Sequence, residues 1–178
     1  MATKLDIKIR NGHLMGSPDD NLIYFITATG ATLEARSTAA GQTIWTHTFS
    51  EGVSTSNPIL ANGILYYNSD ENLYAFNAQS GKSIYTAPLI EGLSIAGNTS
   101  IMSISNNVIY IVYSDGDSEG SFAHAYEATS GRFLGKLPAR PTTVAPVYDP
   151  LVIANGQLYV LYNANELVVY GQEAIRIP

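Results

Sequence analysis

The chain has no cysteine, few charged residues and no apolar run long enough to cross a membrane as a helix. Without cysteine there are no disulfides, thiolate metal sites or cysteine nucleophiles, and the redox compartment stays open. Charged residues are 13% of the total, about half the share of an ordinary soluble domain. The formal net charge is −6, and there is no basic cluster to neutralise phosphates, so a nucleic-acid partner is not expected. A spanning helix needs about 18 apolar residues, whereas the run from Leu22 to Ala28 has the length of a strand. The opening MATKLDIKIR lacks the apolar core of a secretory signal. A cytoplasmic chain, or a mature or shortened form of a targeted one, is the expectation.

What is present is repetition. Three stretches share one outline: LEARSTAAGQTIWT (Leu33 to Thr46), LYAFNAQSGKSIYT (Leu73 to Thr86) and AHAYEATSGRFLGK (Ala123 to Lys136). Their glycines, Gly41, Gly81 and Gly131, recur 40 and 50 residues apart. Each has Ala six residues earlier (Ala35, Ala75, Ala125) and a polar residue next (Gln42, Lys82, Arg132). An aromatic follows by four in two copies (Trp45, Tyr85), and Gly135 takes that place in the third. The run LVIANGQLYVLY, from Leu151, echoes ILANGILYY, from Ile59, and starts a fourth unit.

Within a unit, apolar runs of four to six residues are divided by Asn-Gly and Ser-Gly turn signals. These read as antiparallel strands joined by hairpins, and no window keeps a helical period. Four strands recurring every 40 to 50 residues describe β-propeller blades. The expected fold is all-β, with about four four-stranded antiparallel blades in one domain over 1–178. An outer strand occupies 1–11, and blades occupy 12–50, 51–90, 91–140 and 141–178. The repeated glycine suits a tight third-to-fourth-strand turn with positive φ. The Ala suits close blade contact, and the Trp or Tyr covers that junction.

On these residues the sequence resembles the tryptophan-docking repeat of the PQQ-like propellers, the fold of quinoprotein dehydrogenases, over about Asn21 to Gly171. The dehydrogenases use eight blades and hold their quinone against a tryptophan and a vicinal cysteine pair, with Ca²⁺ and an Asp base. This chain has no cysteine and one Trp, which its docking motif uses. The resemblance therefore implies a non-catalytic member without the quinone. Relatives of that kind include the propeller lipoprotein of the outer-membrane β-barrel assembly machinery, which implies a bacterial envelope role. Tyr and Asn richness offers a carbohydrate-binding module as the first alternative, though only Tyr148 clearly joins the loop face, and part of a quinone-dependent dehydrogenase ranks third.

No nucleophile elbow, zincin motif or phosphate loop is present. His13, in an N-terminal turn, His47, on the strand after Trp45, and His124, on a strand of the third unit, are expected as isolated surface or rim residues. In SDGDSEGS, Asp115, Asp117 and Glu119 alternate before Gly120, like the first half of a calcium loop. The twelfth position is Tyr126 and Glu127 comes one late, so a solvated hairpin tip is expected and Ca²⁺ is the weaker alternative. Long connections, Ser50 to Asn57, Pro88 to Thr99 and Pro138 to Pro150, place Glu51, Glu91, Arg140, Tyr148 and Asp149 on one loop face as candidates for a protein or peptide partner. KLDIKIR and EAIRIP both alternate and compete for the last outer strand. The ring could close alone, form from two half-rings into eight blades, or belong to a longer protein; the homodimer is favoured, since open blade edges invite association.

Overall fold

The computed structural model describes residues 13–17, 21–27, 32–50, 57–69, 71–89, 100–114, 121–140, 152–155, 157–162 and 166–171. Among them are fifteen strands and no helix. Blade 1 is β1 (His13–Ser17), β2 (Leu22–Ile26), β3 (Thr32–Ser37) and β4 (Thr43–Thr48). Blade 2 is β5 (Ile59–Ala61), β6 (Ile64–Asn68), β7 (Asn72–Asn77) and β8 (Ser83–Pro88). Blade 3 is β9 (Ser100–Ser105), β10 (Val108–Ser114), β11 (Ser121–Glu127) and β12 (Phe133–Arg140). Blade 4 shows β13 (Val152–Ala154), β14 (Gln157–Tyr162) and β15 (Glu166–Tyr170). Each blade is a separate sheet whose strands follow chain order. Both candidates for its outer strand, KLDIKIR and EAIRIP, lie outside the described residues.

Two turn types make the blades. First-to-second-strand turns use Asn62-Gly63 (φ 50° and 72°) and Asn106-Asn107 (49° and 63°). Two consecutive positive φ values give the turn whose twist matches a hairpin. Third-to-fourth-strand turns close on Gly41, Gly81 and Gly131, with φ of 69°, 69° and 73°. Each of these glycines donates its N–H to a carbonyl four residues back, at Ser37, Asn77 and Glu127, all at 2.8 Å. Beyond that turn every third-fourth ladder carries the same bulge, setting Trp45, Tyr85 and Gly135 opposite Ala35, Ala75 and Ala125. The bulged residues Ile44 and Ile84 are thereby turned outward and exposed.

The blades stack through their faces. Tyr24, Leu33 and Ala35 of blade 1 meet Leu65, Tyr67 and Phe76 of blade 2. Tyr66, Leu73 and Ala75 meet Met102, Ile109, Ile111 and Tyr126 of blade 3. Tyr110, Val112, Ala123 and Ala125 meet Leu158, Val160 and Tyr170 of blade 4. Blades 2 and 3 thus each have a leading and a trailing apolar face. The first strands lie side by side in the order β1, β5, β9, β13, as blades arranged about an axis require.

Three expectations need correction. β12 runs through Pro138 to Arg140, where the sequence suggests loop. Proline is tolerated because β12 is an outer strand and its ladder skips register between Ser121 and Ala123. His124 is 4% exposed and not a rim residue. It pairs with Lys136 across the ladder and meets the rings of Tyr126 and Phe133. His13 begins β1 rather than standing in a turn.

Candidate functional site

The strand registers set which end of the blades each connection leaves from. In an antiparallel blade, second and fourth strands finish at the end where first and third begin. Thr48, Asn68, Pro88, Ser114 and Arg140 finish strands at this end, while Ile59, Asn72, Ser100, Ser121 and Val152 begin them. Of the sequence candidates, only Arg140 is described, closing β12 opposite Ser121. Ser121 in turn pairs with Ser114, so Arg140 stands beside the strand ends that flank the acidic stretch. Glu51, Glu91, Asp115, Asp117, Glu119, Tyr148 and Asp149 lie outside the described residues.

The described part of this end is built by short-range polar contacts. Ser69 is 1% exposed, and its Oγ accepts from the N–H groups of Glu71 (3.3 Å) and Asn72 (3.0 Å). Leu89 N–H donates to Glu71 O at 2.7 Å, tying the hairpin to the exit of β8. A linear reading passes over Asn68 and Ser69 because a polar pair before an Asp has turn composition; only burial distinguishes them. His47, deeper in the joint, has its ring 4.7 Å from both Phe49 and Phe76, and burial lowers its pKa. Burial, aided by the Lys136 charge, brings His124 from 6.5 down to about 4. Both are neutral near pH 7 and built into apolar surroundings. Among the described residues no three His, Asp or Glu side chains converge as a metal site.

The opposite end is where the repeat acts. Trp45 of blade 1 donates its indole N–H to Ala78 O at 2.8 Å. Its ring lies on Gly81 so closely that a Cβ there would stand 2.6 Å from Trp45 Cδ2. Tyr85 of blade 2 repeats the contact on blade 3, donating its hydroxyl to Ala128 O at 3.0 Å. A Cβ on Gly131 would lie 2.7 Å from Tyr85 Cε2. Ala78 N–H and Ala128 N–H donate to Gly63 O and Asn107 O, at 2.9 and 2.8 Å. Both turns of one blade and the outer strand of the preceding blade are thus stitched together. Burial, with the Tyr66 phenol contributing, raises the Tyr85 pKa well above 10. Gly135 leaves the third joint without such a clamp, since nothing lies within 4 Å of where its Cβ would be. A cleft of about 150 Å³ opens between blades 2 and 3, lined by Asn62, Tyr66, Ser105, Asn106 and Asn107 among others. It is polar and neutral, with no acid or base poised for chemistry near pH 7.

The sequence matches the family model described as outer membrane protein assembly factor BamB over residues 3–174. No curated protein matches it. Among solved structures, the computationally designed Ika4 protein is similar at TM-score 0.69 and 12% identity, over 96% of this chain and 99% of that one. BamB from Moraxella catarrhalis is similar at TM-score 0.61 and 11% identity, over 89% of this chain and 49% of its own. A quinohemoprotein alcohol dehydrogenase from Pseudomonas putida is similar at TM-score 0.61 and 15% identity, over 79% of this chain and 27% of that one. At such identities the likeness concerns the fold. The chain spans about half of BamB and about a quarter of the dehydrogenase.

Proposed function

The chain belongs to the family of the outer membrane protein assembly factor BamB, and on that premise we propose that it is a non-catalytic propeller module that holds protein or peptide partners at the blade end carrying the long connections. One observation carries the reading. The repeated Trp or Tyr, Ala and Gly residues are spent on joining blade to blade, so the repeat specifies a stiff platform and none of its residues is left over for chemistry. What differs between blades is the connections. Loops on a stiff support are where recognition is usually built, because they need little ordering on binding. Arg140 closes β12 beside the strand ends that flank the acidic stretch.

The commitment of Trp45 to a blade joint supports a reading without a quinone. The single tryptophan has its ring centroid 6.0 and 6.3 Å from those of Tyr24 and Phe76, with its N–H engaged by Ala78 O. The family's description as an outer membrane protein assembly factor supports an outer-membrane protein as the partner and a bacterial-envelope setting, and strand addition is a natural mode for a blade whose outer strand has an open edge.

The test is fluorescence anisotropy with labelled extended peptides that carry the alternating apolar and polar pattern of outer-membrane strands. Arg140→Glu should weaken binding, while Gln79→Glu, at the opposite end, should leave it unchanged. Peptides that fail to bind, or that bind both variants alike, would sink the proposal.

A further inference from the structure

The cleft between blades 2 and 3 lies at the turn end of the blades, away from the long connections. Blade 2 contributes Asn62 from its first turn, and blade 3 contributes Ser105, Asn106 and Asn107 from the matching turn. The backbone explains the asparagines. Asn62, Asn106 and Asn107 hold φ of 50°, 49° and 63°, a region that asparagine tolerates better than most residues. Two hairpin turns side by side therefore bring three primary amides and a hydroxyl to one blade joint.

Tyr66 forms part of the wall. It is 4% exposed and sits in the buried cluster with Leu73, Met102 and Ile109. Burial raises its pKa above the ordinary phenol value, so the hydroxyl stays neutral and can both donate and accept. Among the described residues that hydroxyl has no hydrogen-bond partner. The adjacent phenol differs, since Tyr85 donates to Ala128 O at 3.0 Å. Asn107 is partly engaged as well, donating its amide to Thr129 Oγ1 at 3.4 Å. A buried phenol usually finds a partner, and the cleft is where Tyr66 can meet one.

The lining selects the chemistry of the occupant. Among the described residues no charged side chain lines the cleft, so an ion would give up water without gaining a counter-charge. An apolar molecule would leave the amides and hydroxyls unpaired. Amides and hydroxyls that both give and accept are matched by several neutral hydroxyls on a small carbon frame. Ala61 and Ile104 offer apolar surface to such a frame. The volume of about 150 Å³ falls below the roughly 300–1,000 Å³ of drug-sized sites. One ring fits it better than a chain.

We infer that this cleft binds a single neutral sugar ring, held by Tyr66, Asn62, Ser105 and Asn106 across the joint of blades 2 and 3. The site is separate from the end at which a protein partner is proposed. It also owes nothing to aromatic residues on the loop face.

The experiment is two-dimensional amide NMR of the whole chain, titrated with glucose, galactose and mannose into the millimolar range. At least one sugar should shift the side-chain amide signals of Asn62 and Asn106, with a dissociation constant on the order of 1 mM. Glucuronate, the same ring with a carboxylate, should bind more weakly. Tyr66→Phe should raise the dissociation constant about fivefold, the worth of one neutral hydrogen bond. It should leave the urea midpoint in place, because the hydroxyl bonds no described protein group. Asn106→Gly keeps the positive φ and should weaken binding as well. Asn155→Gly, at the corresponding turn of blade 4 (φ 52°) and outside the cleft, should not. No shift with any of the three sugars, shifts confined to other residues, or glucuronate binding as tightly as glucose would each overturn the inference. Full affinity in both Tyr66→Phe and Asn106→Gly, or an equal loss in Asn155→Gly, would do the same.

Discussion

Substituting Gly81 by alanine isolates the docking contact. Two costs arise. At φ 69° an alanine pays about 1–2 kcal/mol for the left-handed backbone. Its Cβ would also stand 2.6, 2.7 and 2.9 Å from Trp45 Cδ2, Cγ and Cε3. Carbon contacts settle near 3.5–4.0 Å, so the indole must retreat by about 1 Å. The retreat repacks the aromatic cluster, at about 1–3 kcal/mol. It also strains the 2.8 Å bond to Ala78 O, at about 1 kcal/mol. The total is about 3–6 kcal/mol. Gly63→Ala is the matched control, with φ 72° and nothing within 4 Å of the new Cβ, and should lose only about 1–2 kcal/mol. Urea denaturation of both variants, and of Gly81→Ala in a Trp45→Ala background, measures the difference. In that background the Gly81 penalty should fall to the backbone share alone. Equal losses for Gly81→Ala and Gly63→Ala, or an undiminished penalty without Trp45, would refute the docking account.

Acid should weaken the fold through His124. Its pKa lies near 4 in the folded chain against 6.5 for the free group, so the unfolded state binds the extra proton between those values. The contribution is complete above pH 6.5 and disappears as pH falls toward 4, by at most about 3 kcal/mol. His124→Asn should flatten the pH dependence of the urea midpoint, and an unchanged slope would rule His124 out as its source. Tyr85→Phe should cost about 1 kcal/mol by removing the hydroxyl donor to Ala128 O, and in alkaline titration at 295 nm it should delete a late-ionising phenol; loss of an ordinary one would contradict the burial of Tyr85. Blade 4, joined without an aromatic clamp, should open first, with β13 to β15 exchanging amide hydrogens faster than β5 to β8; equal protection would show that the apolar joint suffices. Excess Ca²⁺ or its chelation should leave the melting curve unmoved, and a Ca²⁺-dependent rise would reassign Asp115, Asp117 and Glu119 as cation ligands.

The loop candidates show where a one-dimensional reading thins out. Arg140 could be named from its place after a repeat, but its position opposite Ser121 depends on a bulged ladder, and a bulge leaves no periodic mark. Asn68, Ser69 and His124 look like turn or rim residues in one dimension and are buried in three. The strand around Pro138 was hidden for a related reason. Proline forbids donation into a ladder, yet an outer strand needs only one hydrogen-bonded edge.

The all-β class, the turn glycines, the blade spacing and the association of Trp45 and Tyr85 with a glycine motif are all legible in the linear chain. These features rest on backbone φ, side-chain alternation and hairpin closure, which act over a few residues and recur with the repeat. Which glycine each aromatic covers depends on packing, since Trp45 sits on the turn of the next blade and not of its own. Packing also separates the exposed Leu167 from the buried Leu33 and Leu73, which hold the same place in their blades. Burial is a property of a residue and its neighbour together, and no described blade of this chain lies over Leu167.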